Sequence, residues 1–166
     1  ILAKVNHITD RMLIEKLYEA STAGIRIDLL VRGNCSLVTG IPDVSENIHI
    51  NGIIDRYLEH SRIFIFSNGG EEKYYIGSAD WMPRNLDNRI EVLVPVYNKE
   101  IQADLKQIIY YDLHDTAKGH IVDGSGENLP WKDIYPTLSE QPVDETKISL
   151  FRSQEELYKE YKKNTE

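Results

Sequence analysis

The sequence predicts an α/β fold in which a mixed β-sheet is flanked by helices. Three observations carry that reading. A strand-length apolar run, an amphipathic helical stretch and a second apolar run follow one another at the start. Asn68-Gly69-Gly70 then separates two β-rich runs, the pattern of a hairpin. A second amphipathic helix follows the hairpin. The 166 residues, 41% hydrophobic and 28% charged, suffice for one domain with a real core.

Taken in order, Ile1 to Val5 reads as a short strand. Thr9 or Asp10 can cap a helix running to about Ala23, with Leu13, Leu17 and Ala20 on one face and Gly24 as its stop. Ile25 to Val31 alternates and then runs apolar, as a strand entering a buried sheet does. A strand–helix–strand unit makes those two strands parallel neighbours with a right-handed crossover. Residues 33–47, rich in Gly, Pro, Ser and Asn, read as a loop. Ile53 to His60 is expected to form a short helix leading into the next strand.

Arg62 to Phe66 and Lys73 to Gly77 are the hairpin strands, and Ile90 to Val96 is a further strand closed at Pro95. The second helix carries Ile101, Leu105, Ile108, Ile109 and Leu113 on one face. Beyond Gly119 the periodicity fades. Residues 124–147 read as a surface loop, and Ser153 to about Lys163 as a charged terminal helix anchored by Leu157 and Tyr161. The expected division is a core over 1–118 and an extension over 119–166 packed on the same domain.

Charge narrows the function. The net charge of −8 argues against non-specific nucleic-acid binding as the main task. Five of the eight arginines (Arg32, Arg56, Arg62, Arg84, Arg89) nevertheless fall between positions 32 and 89. A cationic pocket in an acidic protein suits a small or threaded polyanion. The lone Cys35 excludes an internal disulfide and a multi-cysteine zinc site, and reads as a small half-buried side chain. No apolar run approaches the roughly 20 residues of a membrane-spanning helix. The opening at Ile1 is expected to reflect a piece cut from a longer protein, with the cytoplasm as its expected location.

The stretch that carries chemistry runs from Tyr57-Leu-Glu-His60-Ser-Arg62, through the hairpin, to Gly77-Ser78-Ala-Asp80-Trp81-Met-Pro-Arg84-Asn85. The turn lies midway between the two segments, so His60 and Ser78 are expected to meet at the open end of the hairpin. Arginine forks and backbone N–H groups beside Gly and Ser suit phosphate oxygens. Arg32, at the mouth of a buried strand, is well placed to join them. Asp80 is expected to pair with Arg84 to hold the loop. Trp81, Tyr57, Tyr74 and Tyr75 read as packing residues, and His7, His49, His114 and His120 as structural.

This arrangement resembles the second half-site of the phospholipase D superfamily, His-x-Lys with an acid five residues on and a later Gly-Ser-x-Asn. Here the pattern is His60-x-Arg62, Ser67 at the acid position, and Gly77-Ser78-x-Asp80. The changed residues argue against an ordinary phosphodiesterase. Val31-Arg-Gly-Asn-Cys-Ser-Leu37, Ile53-Ile-Asp-Arg-Tyr-Leu-Glu-His-Ser-Arg62 and Gly77-Ser-Ala-Asp-Trp-Met-Pro-Arg-Asn85 are similar to the C-terminal domain of the long, histidine-phosphorylating polyphosphate kinases. Lys4-Val-Asn6, Asn68-Gly-Gly70 and Arg89-Ile-Glu91 match in the right order. The resemblance covers roughly residues 2 to 115.

It implies a phospholipase-D-like fold and reversible transfer of the ATP γ-phosphoryl group to polyphosphate. The phosphorylated histidine would lie in an upstream domain of the same polypeptide. Arg32 would contact nucleotide phosphate, and His60 would contact ATP and act as an acid–base group. Arg62, Ser78, Asp80, Arg84 and Asn85 are weaker candidates around the site. Mg²⁺ is implied as cofactor, held mainly by the upstream domain, with no metal ligand assigned here. The full-length protein is expected to be a homo-oligomer. A phosphodiesterase half-site and a non-enzymatic polyanion-binding module stand as the alternatives.

Overall fold

Runs of branched and aromatic side chains become strands, and capped amphipathic stretches become helices, in a computed structural model describing residues 1–130 and 150–163. The strands are β1 (Leu2–Val5), β2 (Ile27–Val31), β3 (Ile48–Ile53), β4 (Ile63–Phe66), β5 (Lys73–Gly77), β6 (Leu93–Val96) and β7 (Gly119–Ile121). The helices are α1 (Arg11–Thr22), α2 (Pro83–Asn88), α3 (Lys99–Leu113) and α4 (Ser153–Lys163). Among the described residues the strands form one sheet in the order β6-β5-β4-β1-β2-β3-β7. β1 pairs in parallel with β2, as a strand–helix–strand opening requires, and β2 pairs in parallel with β3. The other neighbours are antiparallel, so the sheet is mixed.

Helices cover both faces. Ala3, Val5, Leu29, Val31, Ile50 and Phe64 pack with Ile14 and Leu17 of α1. Leu30, Ile63, Ile65 and Tyr74 pack with Ile109 of α3 on the opposite face, as the two-residue period of a strand dictates. Asp10 caps α1, its carboxylate accepting from Leu13 N–H at 2.8 Å, and Asn98 caps α3. Gly69 and Gly70 turn the β4–β5 hairpin with φ of 67° and 103°, which a side chain would resist.

Several expectations are corrected. Residues 53–60 form no helix: Ile53 ends β3, and 54–60 is irregular chain. A parallel pair needs a crossover of sufficient length rather than a helix as such, and the loop 32–47 supplies it between β2 and β3. The buried face of α1 is Ile14, Leu17 and Ser21, one step round from the expected one. On α3, Ile101 is exposed and Gln102 is buried in its place, donating from Nε2 to Val96 O at 2.7 Å. Tyr57 does not pack on the sheet; it is 62% exposed. β7, unforeseen, closes the sheet beside β3. The loop expected over 124–147 extends beyond the described residues, whereas α4 forms over the expected span.

Candidate active site

Five strands deliver side chains to one edge of the sheet. β1 and β2 end there, leading into Asn6 and His7 and into Arg32. The antiparallel β4 begins there, after His60 and Arg62, opposite the end of β5 with Ser78 and Asp80; β6 begins there after Arg89 and Glu91. Strand ends at a point where the sheet changes direction are where α/β folds place ligands. The loops beyond are stitched by backbone hydrogen bonds, Gly33 N to Asn6 O at 2.8 Å and Trp81 N to His7 O at 3.0 Å. Trp81 stacks on Phe64 with ring centres 5.6 Å apart and anchors the loop to the core.

The result is an open cleft of about 450 Å³ lined by Asn6, His7, Arg32, His60, Arg62, Ser78, Asp80, Arg84, Arg89 and Glu91. Arg62 is its hub. Its Nη2 and Nε donate to Asp80 Oδ2 and Oδ1 at 2.9 and 3.2 Å, and Nη1 lies 3.0 Å from His60 Nδ1. A guanidinium can only donate, so Nδ1 of His60 is the accepting nitrogen and Nε2 carries the hydrogen. Asp80 also accepts from Asn6 N at 2.7 Å and Asn6 Nδ2 at 3.0 Å. Burial pushes the Asp80 carboxyl up, but Arg62 and Asn6 outweigh it and hold the group below the usual carboxylate range.

Arg32 donates from Nε to Asn6 Oδ1 at 3.0 Å, and that bond aims the guanidinium. Among the described residues neither Arg32, Arg84 nor Arg89 forms an ion pair, so three positive charges face the cleft uncompensated by a bridged carboxylate. The expected Asp80–Arg84 pair is not made; Arg62 takes Asp80 instead, because it leaves the neighbouring hairpin strand directly alongside. Ser78 Oγ donates to Glu91 Oε2 and accepts from Val92 N at 3.0 Å. Asn85, buried, donates to Glu91 Oε1 at 2.7 Å and does not line the cleft. These two brace the rim and hold Glu91 below the usual carboxylate range, Ser78 contributing most.

Sequence reasoning passed over Asn6, His7, Arg89 and Glu91. For Asn6, Arg89 and Glu91 the signal was the pair of short matched segments Lys4-Val-Asn6 and Arg89-Ile-Glu91, of which only Arg89 was counted in the cationic pocket; His7 was read as structural. His7 accepts Asn34 N–H on Nδ1 at 2.9 Å, so it also fixes the loop after β2. Cys35 lies away from the cleft and burial pushes its thiol up, the opposite of an activated nucleophile.

The fold is phospholipase-D-like, a mixed sheet flanked by helices with a polar site at one strand edge. NucT from Helicobacter pylori shares it at a TM-score of 0.53 and 13% identity, over 68% of this chain and 77% of that one. The family described as Polyphosphate kinase C-terminal domain 2 matches residues 1–141, and the chain belongs to that family. It is 45% identical over 151 residues to a polyphosphate kinase of Halalkalibacterium halodurans, covering 91% of this chain and 21% of that protein. A polyphosphate kinase of Pseudomonas aeruginosa is 48% identical over 142 residues, 86% of this chain and 20% of that protein. The crystal structure of polyphosphate kinase from Porphyromonas gingivalis superposes with a TM-score of 0.85 at 39% identity, over 98% of this chain and 23% of that one. The chain thus spans about one fifth of the length of the curated relatives it matches.

Proposed function

We propose that this chain supplies one wall of a polyphosphate kinase active site within a longer polypeptide. In this reading the enzyme reversibly transfers the ATP γ-phosphoryl group to polyphosphate through a phosphohistidine in an upstream domain. The observation that carries it is the cleft that Arg32, Arg84 and Arg89 line together with His60, none of the three arginines forming an ion pair among the described residues. Phosphoryl transfer asks the protein mainly for positioning and for positive charge around the moving group.

The geometry supports a role for each residue. Arg32, pre-aimed by Asn6, forks onto nucleotide phosphate oxygens. His60, its Nδ1 occupied by Arg62, presents a hydrogen on Nε2 that a departing or arriving phosphate oxygen can take and return. Arg84 and Arg89 at the exposed rim gather the polyanionic chain. Splitting transfer through a phosphohistidine makes both half-reactions phosphoryl exchanges of similar kind, which is what reversibility needs.

A divalent cation does not fit the described residues. None of their His, Cys, Asp and Glu side chains form a group of three or more that could hold a metal, and Asp80 is already neutralised by Arg62. Mg²⁺ in this reading travels with the nucleotide or is held by the upstream domain. No helix among the described residues is long and apolar enough to cross a membrane. With ATP as donor, the cytoplasm is the site of action and the full polypeptide a homo-oligomer.

The test is His60→Ala in the full polypeptide, assayed for polyphosphate made from ATP. Loss of at least a hundredfold, within the range for a removed acid–base group, with an unchanged melting temperature is expected. Undiminished synthesis sinks the assignment. A diester substrate cleaved by the same polypeptide, with no transfer to polyphosphate, would favour the phosphodiesterase reading instead.

A further inference from the structure

The segment that carries His60 has no secondary structure of its own, yet it is held at three residues, through the Asp55 and Glu59 side chains and the Tyr57 backbone, by residues that lie outside the family match. Residues 54–60 run between β3 and β4 with only irregular chain. Such a segment, left alone, would let a catalytic side chain wander. Arg152 forks onto Asp55, Nη2 to Oδ1 at 2.6 Å and Nε to Oδ2 at 2.8 Å. Gln154 then treats Tyr57 as a neighbouring strand would: Oε1 accepts Tyr57 N–H and Nε2 donates to Tyr57 O, both at 2.9 Å. The same Nε2 donates to Glu59 Oε1 at 2.6 Å, one residue before His60.

Glu59 is held from the other side as well. Its Oε2 accepts from Lys4 Nζ, which also binds Asp112 of α3. The clamp itself cannot drift, because the start of α4 is fixed to the end of α3. Buried Asp115 accepts from Ser153 N at 2.8 Å and from Ala117 and Lys118 N–H groups. Phe151 packs edge-on against Tyr111 at 5.3 Å between centres. Phe151 O accepts from Thr116 and Ala117 N–H at 2.9 and 3.1 Å.

We infer that Gln154 is a positioning residue for His60, and that the start of α4 is therefore part of the catalytic apparatus at one remove. The inference rests on the reading of His60 as the acid–base group. A side-chain amide that satisfies one N–H and one C=O of the same residue replaces a missing strand pairing and fixes both sides of that residue's backbone. Displacing a reacting group by about 1 Å can cost as much as a hundredfold in rate, so a clamp three residues away reaches the chemistry without touching substrate. No part of Gln154 lines the cleft.

The test compares Gln154→Met, which keeps the side chain's length and loses its hydrogen bonds, with Gln154→Glu and His60→Ala, all in the full polypeptide. Gln154→Met is expected to lower kcat about tenfold to a hundredfold. Its amide exchange should quicken over 54–60 while β1, β2 and β3 keep wild-type protection. Gln154→Glu retains the acceptor for Tyr57 N–H but sets a second carboxylate against Glu59. It should be impaired at neutral pH and recover towards wild type as the pH is lowered and the carboxylate pair takes up a proton. Wild-type kcat in Gln154→Met beside an inactive His60→Ala overturns the clamp and leaves the reading of His60 standing. Faster exchange over 54–60 with undiminished kcat overturns it too. A fully active His60→Ala removes the reading of the site, and the clamp's catalytic role with it.

Discussion

Arg62 and Asp80 face each other across the open end of the β4–β5 hairpin, joined by two hydrogen bonds and nearly sealed from solvent, at 12% and 7% side-chain exposure. Because the same guanidinium touches His60, this ion pair sets the floor of the cleft rather than a detail of its rim. The fork of Arg62 suits a carboxylate opposite it, which Asp80 supplies.

The pair makes stability depend on acid in a defined direction. Asp80 is held below the ordinary carboxylate value, so the folded state favours its ionised form. That contribution is fully present above the unfolded value, about pH 4. It is lost as the pH falls through the depressed folded value. Melting temperatures measured from pH 6 down to pH 2 should therefore fall less steeply for Asp80→Asn than for wild type, from a lower start at pH 6. Parallel curves for the two proteins would show that Asp80 is not the group being titrated.

Arg32 should be intolerant of lysine. Its Nε is spent on Asn6, and the two terminal nitrogens form the fork that the proposed function assigns to phosphate. Lysine keeps the charge and loses both the aiming bond and the fork. Nucleotide titration of the full polypeptide should find Arg32→Lys weakened nearly as much as Arg32→Ala, by about 2 kcal/mol or more for a charged hydrogen-bonded contact. ATP affinity equal to wild type in the lysine variant would reduce Arg32 to a diffuse charge.

Lys4 presents the stability counterpart. It sits between Glu59 and Asp112, whose side chains are 16% and 1% exposed. Burial pulls the Lys4 ammonium down, but the two carboxylates more than restore it, and it stays charged. Asp112, by contrast, is pushed up by its own burial against the pull of Lys4. Removing the ammonium leaves two carboxylates with no cation between them. Lys4→Met should cost about 3–5 kcal/mol in urea denaturation. Adding Asp112→Leu should recover part of the loss, and if it deepens the loss instead, the cluster is not electrostatic in origin.

Much of this architecture was legible from local pattern, and the exceptions share a cause. Lys73 to Gly77 and Ser153 to Lys163 have strong local signals, and both form over the expected span. The 54–60 segment carries apolar and charged residues at helical spacing, yet its hydrogen-bonding groups are claimed by Arg152 and Gln154, about a hundred residues away. No window of sequence contains that competition. The same limit applies to Asp80, for which Arg84 is near in sequence and Arg62 is near in space. Gln102 shows it too, a polar residue buried because Val96 O lies above it. The gathering of His60, Arg62 and Ser78 at one hairpin end was legible, because a turn midway between two strands fixes which ends meet.

The order of the sheet has a consequence for how the chain is made. β1 lies in the middle, and the strand on its far side, β4, is encoded some sixty residues later. Ribosomes add roughly 5–20 residues per second, so for several seconds of synthesis the edge of β1 that will receive β4 stands open. Pairing with β2 and cover from α1 are available in that interval, since both come first. Any chaperone that attends the nascent chain would find its exposed edge there, and a pause in translation after β2 would prolong the exposure.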